Sequence, residues 1–317
     1  MSSLRVCLFG RFEVRSGQQA LTGFEAGKVQ ELFCYLLLYR SHPHPREALA
    51  SLLWDEQHTD RPSRCLRKTL WQLRSALDSY SKALSDRVLL IEDDWVQLNP
   101  KADLWLDLAE FEQAFHRDQH LRGNELDSEG AEALVHALNL YRGGLQESWY
   151  QDWYLYERER FQYMYLVMLD KLMDHCEALG DYQAGLAYGT LILGCERARE
   201  STHRRLMRLH YLAGDRTAAL RQYEHCVLTL HEELGVEPAR RTVALRRQIE
   251  RDQLDLSLPA PVVATSGPQG PPSRWRPVLR HLRLLQVALS EAQREVEQDV
   301  RVLEMALDGQ DQLADRS

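Results

Sequence analysis

Residues 60–80 read DRPSRCLRKTLWQLRSALDSY. Leu66, Leu70, Leu73 and Leu77 recur at i, i+4, i+7 and i+11, one narrow apolar stripe at helical spacing. Asp60 or Ser63 can cap the start, and Pro62 suits a first-turn position, where its missing N–H costs nothing. At about 100° per residue, the opposite face carries Arg64, Lys68, Trp71 and Ser75. Arg67 and Gln72 lie on its flanks, and Arg74 falls nearer the apolar side. Guanidinium and ammonium groups neutralise phosphates or read guanine edges, and an amide can pair with adenine. Arg64, Arg67, Lys68, Trp71, Gln72 and Ser75 are therefore the candidate contacts to DNA. A merely solvated helix face has the same composition, so the neighbouring segments decide.

Upstream, Leu4–Phe9, Phe12–Val14 and Gln18–Leu21 read as short strands around Gly10 and Gly17. Residues 28–39 (KVQELFCYLLLY) are apolar around most of a helical circumference, which predicts a central core helix. Ser41-His42-Pro43-His44-Pro45 stops it as a stiff loop, and residues 46–54 (REALASLLW) give a short second helix. Downstream, Val88–Ile91 and Trp95–Leu98 flank Glu92-Asp93-Asp94, the pattern of a β-hairpin. Strands, three helices and a terminal hairpin make a winged helix-turn-helix of the OmpR-like kind. In that fold the third helix enters the major groove and the hairpin wing lies beside the DNA backbone.

From Ala102 onward strand signals vanish, and helices are predicted at about 103–119, 128–142, 152–179, 182–194, 199–213, 216–234 and 239–251. An internal repeat appears here. Leu179-Gly180-Asp181-Tyr182-Gln183-Ala184-Gly185-Leu186 returns 34 residues later as Ala213-Gly214-Asp215-Arg216-Thr217-Ala218-Ala219-Leu220. That is the tetratricopeptide (TPR) period. Gly-Asp predicts the tight turn, Ala184 and Ala218 the close helix approach, and Leu186 and Leu220 the filling of the gap.

The two halves together resemble the SARP-type transcriptional activators, in which a winged helix precedes a bacterial transcriptional activator domain (BTAD) of TPR-like hairpins. The resemblance spans residues 4–251 and is carried by Leu49–Trp54, Ser63–Leu77, Tyr141–Leu145, Trp153 with Glu157–Arg160, and Arg205–Leu209. Its most specific part runs from Ala213-Gly214-Asp215 through Ala219–Tyr223 to Glu232–Pro238. It implies a sequence-specific double-stranded DNA-binding activator, with RNA polymerase or a second protomer as partner of the helical half. The sequence departs from the family pattern at Gly194-Cys195-Glu196, in place of an Asp-Pro helix start. It departs again at the wing tip, where Asp93-Asp94-Trp95 puts carboxylates beside a polyanion that repels them. A TPR adaptor whose winged helix no longer binds DNA is the reading that this acidity favours, and a small-molecule sensor stays open.

The expected organisation is mainly α: a winged helix at 1–100, an all-α TPR-like domain at 101–251, a Pro/Gly-rich linker at 252–276, a long amphipathic helix at 277–308 and a tail at 309–317. Leu282, Leu285, Leu289, Ala292, Val296, Val300, Leu303 and Leu307 give that last helix a seam suited to self-association or to docking on the TPR surface. Charge is uneven. Residues 1–100 hold 13 Lys+Arg against 12 Asp+Glu, whereas the rest hold 26 against 35, so any DNA contact must be a local patch in the first hundred.

The cysteines show no metal spacing and fit a reducing cytoplasm; neither a signal peptide nor an apolar run long enough to span a membrane is evident. Gly23–Val29 hints at a phosphate loop but has three residues between its glycines and lacks the Ser/Thr. His116 and His120 lack a third ligand, and Asp93-Asp94 lacks the burial that acid–base work needs. Trp149, Trp153, Tyr154 and Tyr156 are expected to pack the TPR core. No enzyme, cofactor or metal site is expected.

Overall fold

The computed structural model describes residues 4–24, 27–54, 61–79, 81, 83–145 and 151–254. The expected helix at 277–308 and nearly all of the linker before it lie outside the described residues, as does Trp149.

The chain opens with β1 (Leu4–Cys7), β2 (Glu13–Ser16) and β3 (Gln19–Ala20), paired antiparallel in sequence order with Val6 opposite Val14. Helix α1 (Gly27–Leu38) follows, apolar nearly all round because Val29, Leu32, Phe33, Leu36 and Leu37 are fully enclosed. After α2 (Arg46–Leu53) comes α3 (Pro62–Asp78), whose Leu66, Leu70, Leu73 and Leu77 are buried as their spacing requires. A short helix α4 (Leu84–Val88) leads into the hairpin β5 (Leu89–Ile91) and β6 (Trp95–Leu98). Asp78 starts α4: its carboxylate accepts from the Ser85 backbone N–H at 2.8 Å and the Ser85 hydroxyl at 2.9 Å.

Two strands go beyond the sequence reading. In the segment read as a stiff loop, β4 (His44–Pro45) pairs with β6. Pro45 has no N–H to give a ladder, and an edge strand is where that is tolerated. Past Ala102, where only helix was expected, β7 (Leu104–Leu106) runs parallel to β1, with Leu4 opposite Leu104 and Val6 opposite Leu106. The expected helix at 103–119 therefore shortens to α5 (Asp107–Arg117). A three-residue parallel strand has no local period to announce it; pairing with β1 creates it. The four-stranded order is β3-β2-β1-β7.

The helical half continues with a 3-10 turn at Gly123–Glu125, α6 (Ser128–Leu140), α7 (Asp152–Leu179), α8 (Tyr182–Cys195), α9 (Glu200–Leu212), α10 (Arg216–Leu234) and α11 (Arg240–Glu250). The 34-residue repeat is physically duplicated. Gly180 and Gly214 take left-handed φ of 75° and 83°, and the Asp181 and Asp215 side chains accept from the Ala184 and Ala218 N–H groups at 3.2 and 2.8 Å. The closest helix approach falls one residue later than the sequence suggested. Gly185 and Ala219 are the buried small residues, whereas Ala184 and Ala218 stay half-exposed. A Cβ on Gly185 would sit 3.1 Å from Leu209 of α9. Leu186 and Leu220 pack against the repeat cores as expected. At the departure from the family pattern, α9 starts from Arg199 with no side-chain cap.

One hydrophobic core runs through both halves, from Leu4 to Leu172. Phe9, just past β1, inserts among the rings of Phe111, Phe161 and Tyr141 at centroid distances of 5.1, 5.3 and 5.0 Å. Gly10 then donates to the Gly144 carbonyl at 2.7 Å, so close to the chain that a Cβ there would meet the Arg142 carbonyl. No described helix is long and apolar enough to cross a membrane.

Candidate nucleic-acid interface

Helix α3 begins at Pro62 with Arg61 as its N-cap and no side-chain cap; Ser63 lies inside the helix, and Asp60 lies outside the described residues. Its Leu stripe, with Thr69 and Ala76, is clamped against α1 and α2. That burial turns the opposite side outward. Arg64, Arg67, Lys68, Trp71 and Ser75 are exposed and Gln72 is half-exposed, so all six candidates sit on one side of one rigid helix. Among the described residues Arg64, Arg67 and Lys68 have no ion-pair partner. Trp71 is 67% exposed, a large apolar surface that the fold itself does not use.

The flanks of α3 differ. On one, Arg74 pairs with Asp86 of α4 at 2.7 Å, and Asp78 holds Ser85. Arg74 is thus exposed but engaged, not turned to the core. This flank leads to the wing, whose tip residues Glu92, Asp93 and Asp94 are all exposed. The wing is anchored to the start of α2. The Arg46 N–H donates to the Asp94 carbonyl at 2.9 Å, and its guanidinium donates to the Glu92 carbonyl at 3.2 Å. On the other flank the loop after β3 presses on the helix, and a Cβ on Gly23 would stand 3.0 Å from the Ala76 Cβ. Between them opens a cleft of about 290 Å³ lined by Thr22, Gly23, Val29, Trp71, Gln72, Ser75, Ala76 and Ser79. No local signal in the sequence joins Thr22 to α3, because the two meet only through the packing of α1.

The helical half grips the winged helix through buried polar groups that the sequence did not single out. Asp107, 2% exposed at the head of α5, accepts from the Leu8 N–H at 2.8 Å, the Phe9 N–H at 2.9 Å and the Leu108 N–H at 2.8 Å. Burial pushes its carboxyl above the usual range, and these N–H groups pull it back. Glu112 of α5 bridges Arg40, just after α1, at 2.5 Å and Arg160 of α7 at 2.6 Å. Arg160 also holds Glu157 at 2.7 Å. Trp153 packs edge-on to Tyr35 of α1 at 5.1 Å as well as to Tyr154, so it lies at this junction and not in the repeat core. Tyr154 is buried, and Tyr156 is exposed.

The other suggestive motifs have the following surroundings. The Lys28 ammonium donates to the Leu53 carbonyl at 2.6 Å and pairs with Glu31 at 2.9 Å, so it holds α1 to α2 where a phosphate-loop lysine would reach a ligand. His116 contacts Gln119, and no cluster of three potential metal ligands occurs among the described residues. The cysteines are free thiols.

Residues 106–250 match the family model described as bacterial transcriptional activator domain. No curated protein matches the chain. Among solved structures the chain is similar to Mycobacterium tuberculosis EmbR in complex with a low affinity phosphopeptide. The similarity covers 80% of this chain and 67% of that one, at 20% identity and a TM-score of 0.58, and it establishes the shared fold.

Proposed function

We propose that this chain, whose residues 106–250 match the bacterial transcriptional activator domain, is a SARP-type transcriptional activator: α3 binds double-stranded DNA sequence-specifically, and the helical half contacts the transcription machinery. The observation that carries the reading is the outward face of α3. Three cations without ion-pair partners among the described residues stand beside an exposed indole and an amide on one helix. Arg64, Arg67 and Lys68 suit phosphates or guanine edges, Gln72 suits adenine, and Trp71 and Ser75 complete the surface.

The test is a gel shift and a salt titration with a duplex selected by the full chain from a random pool. Alanine at Arg64 and Lys68 together is expected to weaken every sequence and flatten the log–log salt slope by about two. Unchanged affinity and slope would remove α3 from the reading. A chain that selects no duplex at low salt would be the adaptor that its three exposed wing carboxylates favour.

We further infer a cytoplasmic protein whose helical half meets RNA polymerase, because TPR-like hairpins build extended binding surfaces. Self-association is assigned to residues 277–308, on the seam from Leu282 to Leu307. Sedimentation of the full chain beside a version ending at Asp252 tests it, and equal monomeric masses would exclude the dimer.

A further inference from the structure

We propose that the cleft between the Thr22–Gly23 loop and the C-terminal half of α3 seats one sugar-phosphate strand of the bound DNA, replacing the wing as backbone anchor. The proposal rests on α3 being the DNA-binding helix. A helix about 10–12 Å across fills a major groove about 12 Å wide, so a backbone strand lies along each of its flanks. On the wing flank, Glu92, Asp93 and Asp94 are exposed at the hairpin tip. Three carboxylates repel a phosphate strand. The grip that a wing would supply has to come from the opposite flank, and there the structure opens a cleft continuous with the face of α3.

The lining suits a phosphodiester. Among the described residues that line it there is no carboxylate. Its apolar lining comes from Val29 and Ala76 at the back and the exposed Trp71 at the mouth. Its polar groups are neutral donors: the Thr22 and Ser75 hydroxyls, the Gln72 amide and the Trp71 indole N–H, none with a partner among the described residues. Hydroxyls and amides of this kind make the orienting contacts to DNA phosphates. Ser79 is already committed, its hydroxyl donating to the Ala76 carbonyl at 2.7 Å, so Thr22 and Ser75 carry the contact. The loop is held in place for the task. Gly23 adopts φ +97° and lies against Ala76, and a side chain there would push Thr22 away from the helix.

Neutral contacts leave a signature that cationic ones do not. Losing them weakens binding without changing counterion release, so affinity falls while the salt slope holds. The experiment uses the full chain and the duplex it selects from a random pool, with anisotropy titrations from low to moderate salt. Thr22→Val with Ser75→Ala is expected to weaken that duplex and an unrelated one alike, by about 5- to 20-fold, at unchanged slope. Arg64→Ala with Lys68→Ala, in parallel, should reduce both affinity and slope. A duplex series with single methylphosphonates is expected to show one or two phosphates whose neutralisation weakens the parent but not the Thr22→Val/Ser75→Ala chain. Thr22→Ser should restore affinity, and matched thermal unfolding verifies the fold.

Binding within twofold of the parent for Thr22→Val/Ser75→Ala, while Arg64→Ala/Lys68→Ala is impaired, overturns the cleft and leaves α3 standing. A loss confined to one base pair makes these residues base readers and also overturns the proposal. No effect from either pair sinks the reading of α3 itself.

Discussion

Glu112→Gln tests whether the winged helix and the helical half are fastened as one body. Glu112 is 15% exposed at its side chain, and its two oxygens are divided between Arg40 at 2.5 Å and Arg160 at 2.6 Å, each guanidinium about one third exposed. The glutamine keeps the shape but sets an NH2 against one guanidinium and removes the charge that both share. A fully buried pair broken on one side costs about 3–5 kcal/mol, and an exposed one about 0–1. With the arginines one third wet, and with Arg160 retaining Glu157 and Arg40 retaining the Leu37 carbonyl, the loss should be about 1–3 kcal/mol. For a body of this size that lowers Tm by roughly 2–10 °C.

A double-mutant cycle with Arg40→Gln isolates the cross-junction pair, with an expected coupling of about 1 kcal/mol. Far-ultraviolet circular dichroism and tryptophan fluorescence should melt together in the parent. In Glu112→Gln their midpoints should separate once the contribution of Trp153, one of seven tryptophans, is isolated by difference from a Trp153→Phe background, because Trp153 reports the junction while the ellipticity reports mostly helix. A coupling below about 0.3 kcal/mol with coincident, unshifted melts would refute the clasp.

Two glycines grade the helix contacts. A Cβ on Gly123 would stand within van der Waals overlap of the Lys171 carbonyl and the Asp174 Cβ of α7, so Gly123→Ala should cost about 2–4 kcal/mol in urea titration. On Gly189 it meets the Leu206 and Met173 side chains, which can yield, and the helix propensity gained offsets part of the strain, leaving about 0–2 kcal/mol. His203, fully buried between the Arg197 carbonyl and Gln222, has its pKa lowered by burial, against the pull of the Arg197 carbonyl. The unfolded chain therefore binds a proton near pH 6.5 that the folded chain refuses. Stability should be at its full value above that pH and fall as pH drops through it toward the lower folded value. His203→Gln should flatten that part of the profile, and an unchanged profile would count against His203 as its source.

What was legible in the sequence is what a segment states about itself. The stripe Leu66, Leu70, Leu73 and Leu77 fixes which side of α3 is buried, and therefore that Arg64, Lys68 and Trp71 face outward. Gly-Asp at 180–181 and 214–215 writes both turn and cap into two adjacent residues. What stayed hidden depends on partners far along the chain. Leu104–Leu106 becomes a strand only because β1 offers an edge 100 residues away. Thr22 comes to the side of α3 only through the fold, and Asp107 looks like an ordinary first-turn acid until the Leu8 and Phe9 N–H groups are brought to it. Trp153 packs on Tyr35 and not in the repeat core, and a helical aromatic carries no mark of which side will cover it.

Those same long-range contacts govern how small a stable winged-helix fragment can be. A fragment ending at residue 100 keeps every element of the winged helix up to the wing, yet it loses β7, the Asp107 carboxylate and the rings of Phe111 and Phe161. The edge of β1 would then stand open, the Leu8 and Phe9 N–H groups would lose their acceptor, and Phe9, 2% exposed in the chain, would face water. Losing the hydrogen bonds from these two N–H groups to a carboxylate costs about 1.5–3 kcal/mol each and an uncovered Phe about 1.5–3 kcal/mol, which together approach the whole stability of a hundred-residue domain. Fragment 1–100 is therefore expected to melt broadly and to bind DNA weakly, while fragment 1–180, which keeps the shared core through Leu172, should melt cooperatively. A sharp transition for fragment 1–100 at the Tm of the full chain would show that the winged helix stands alone and that the shared core adds nothing to it.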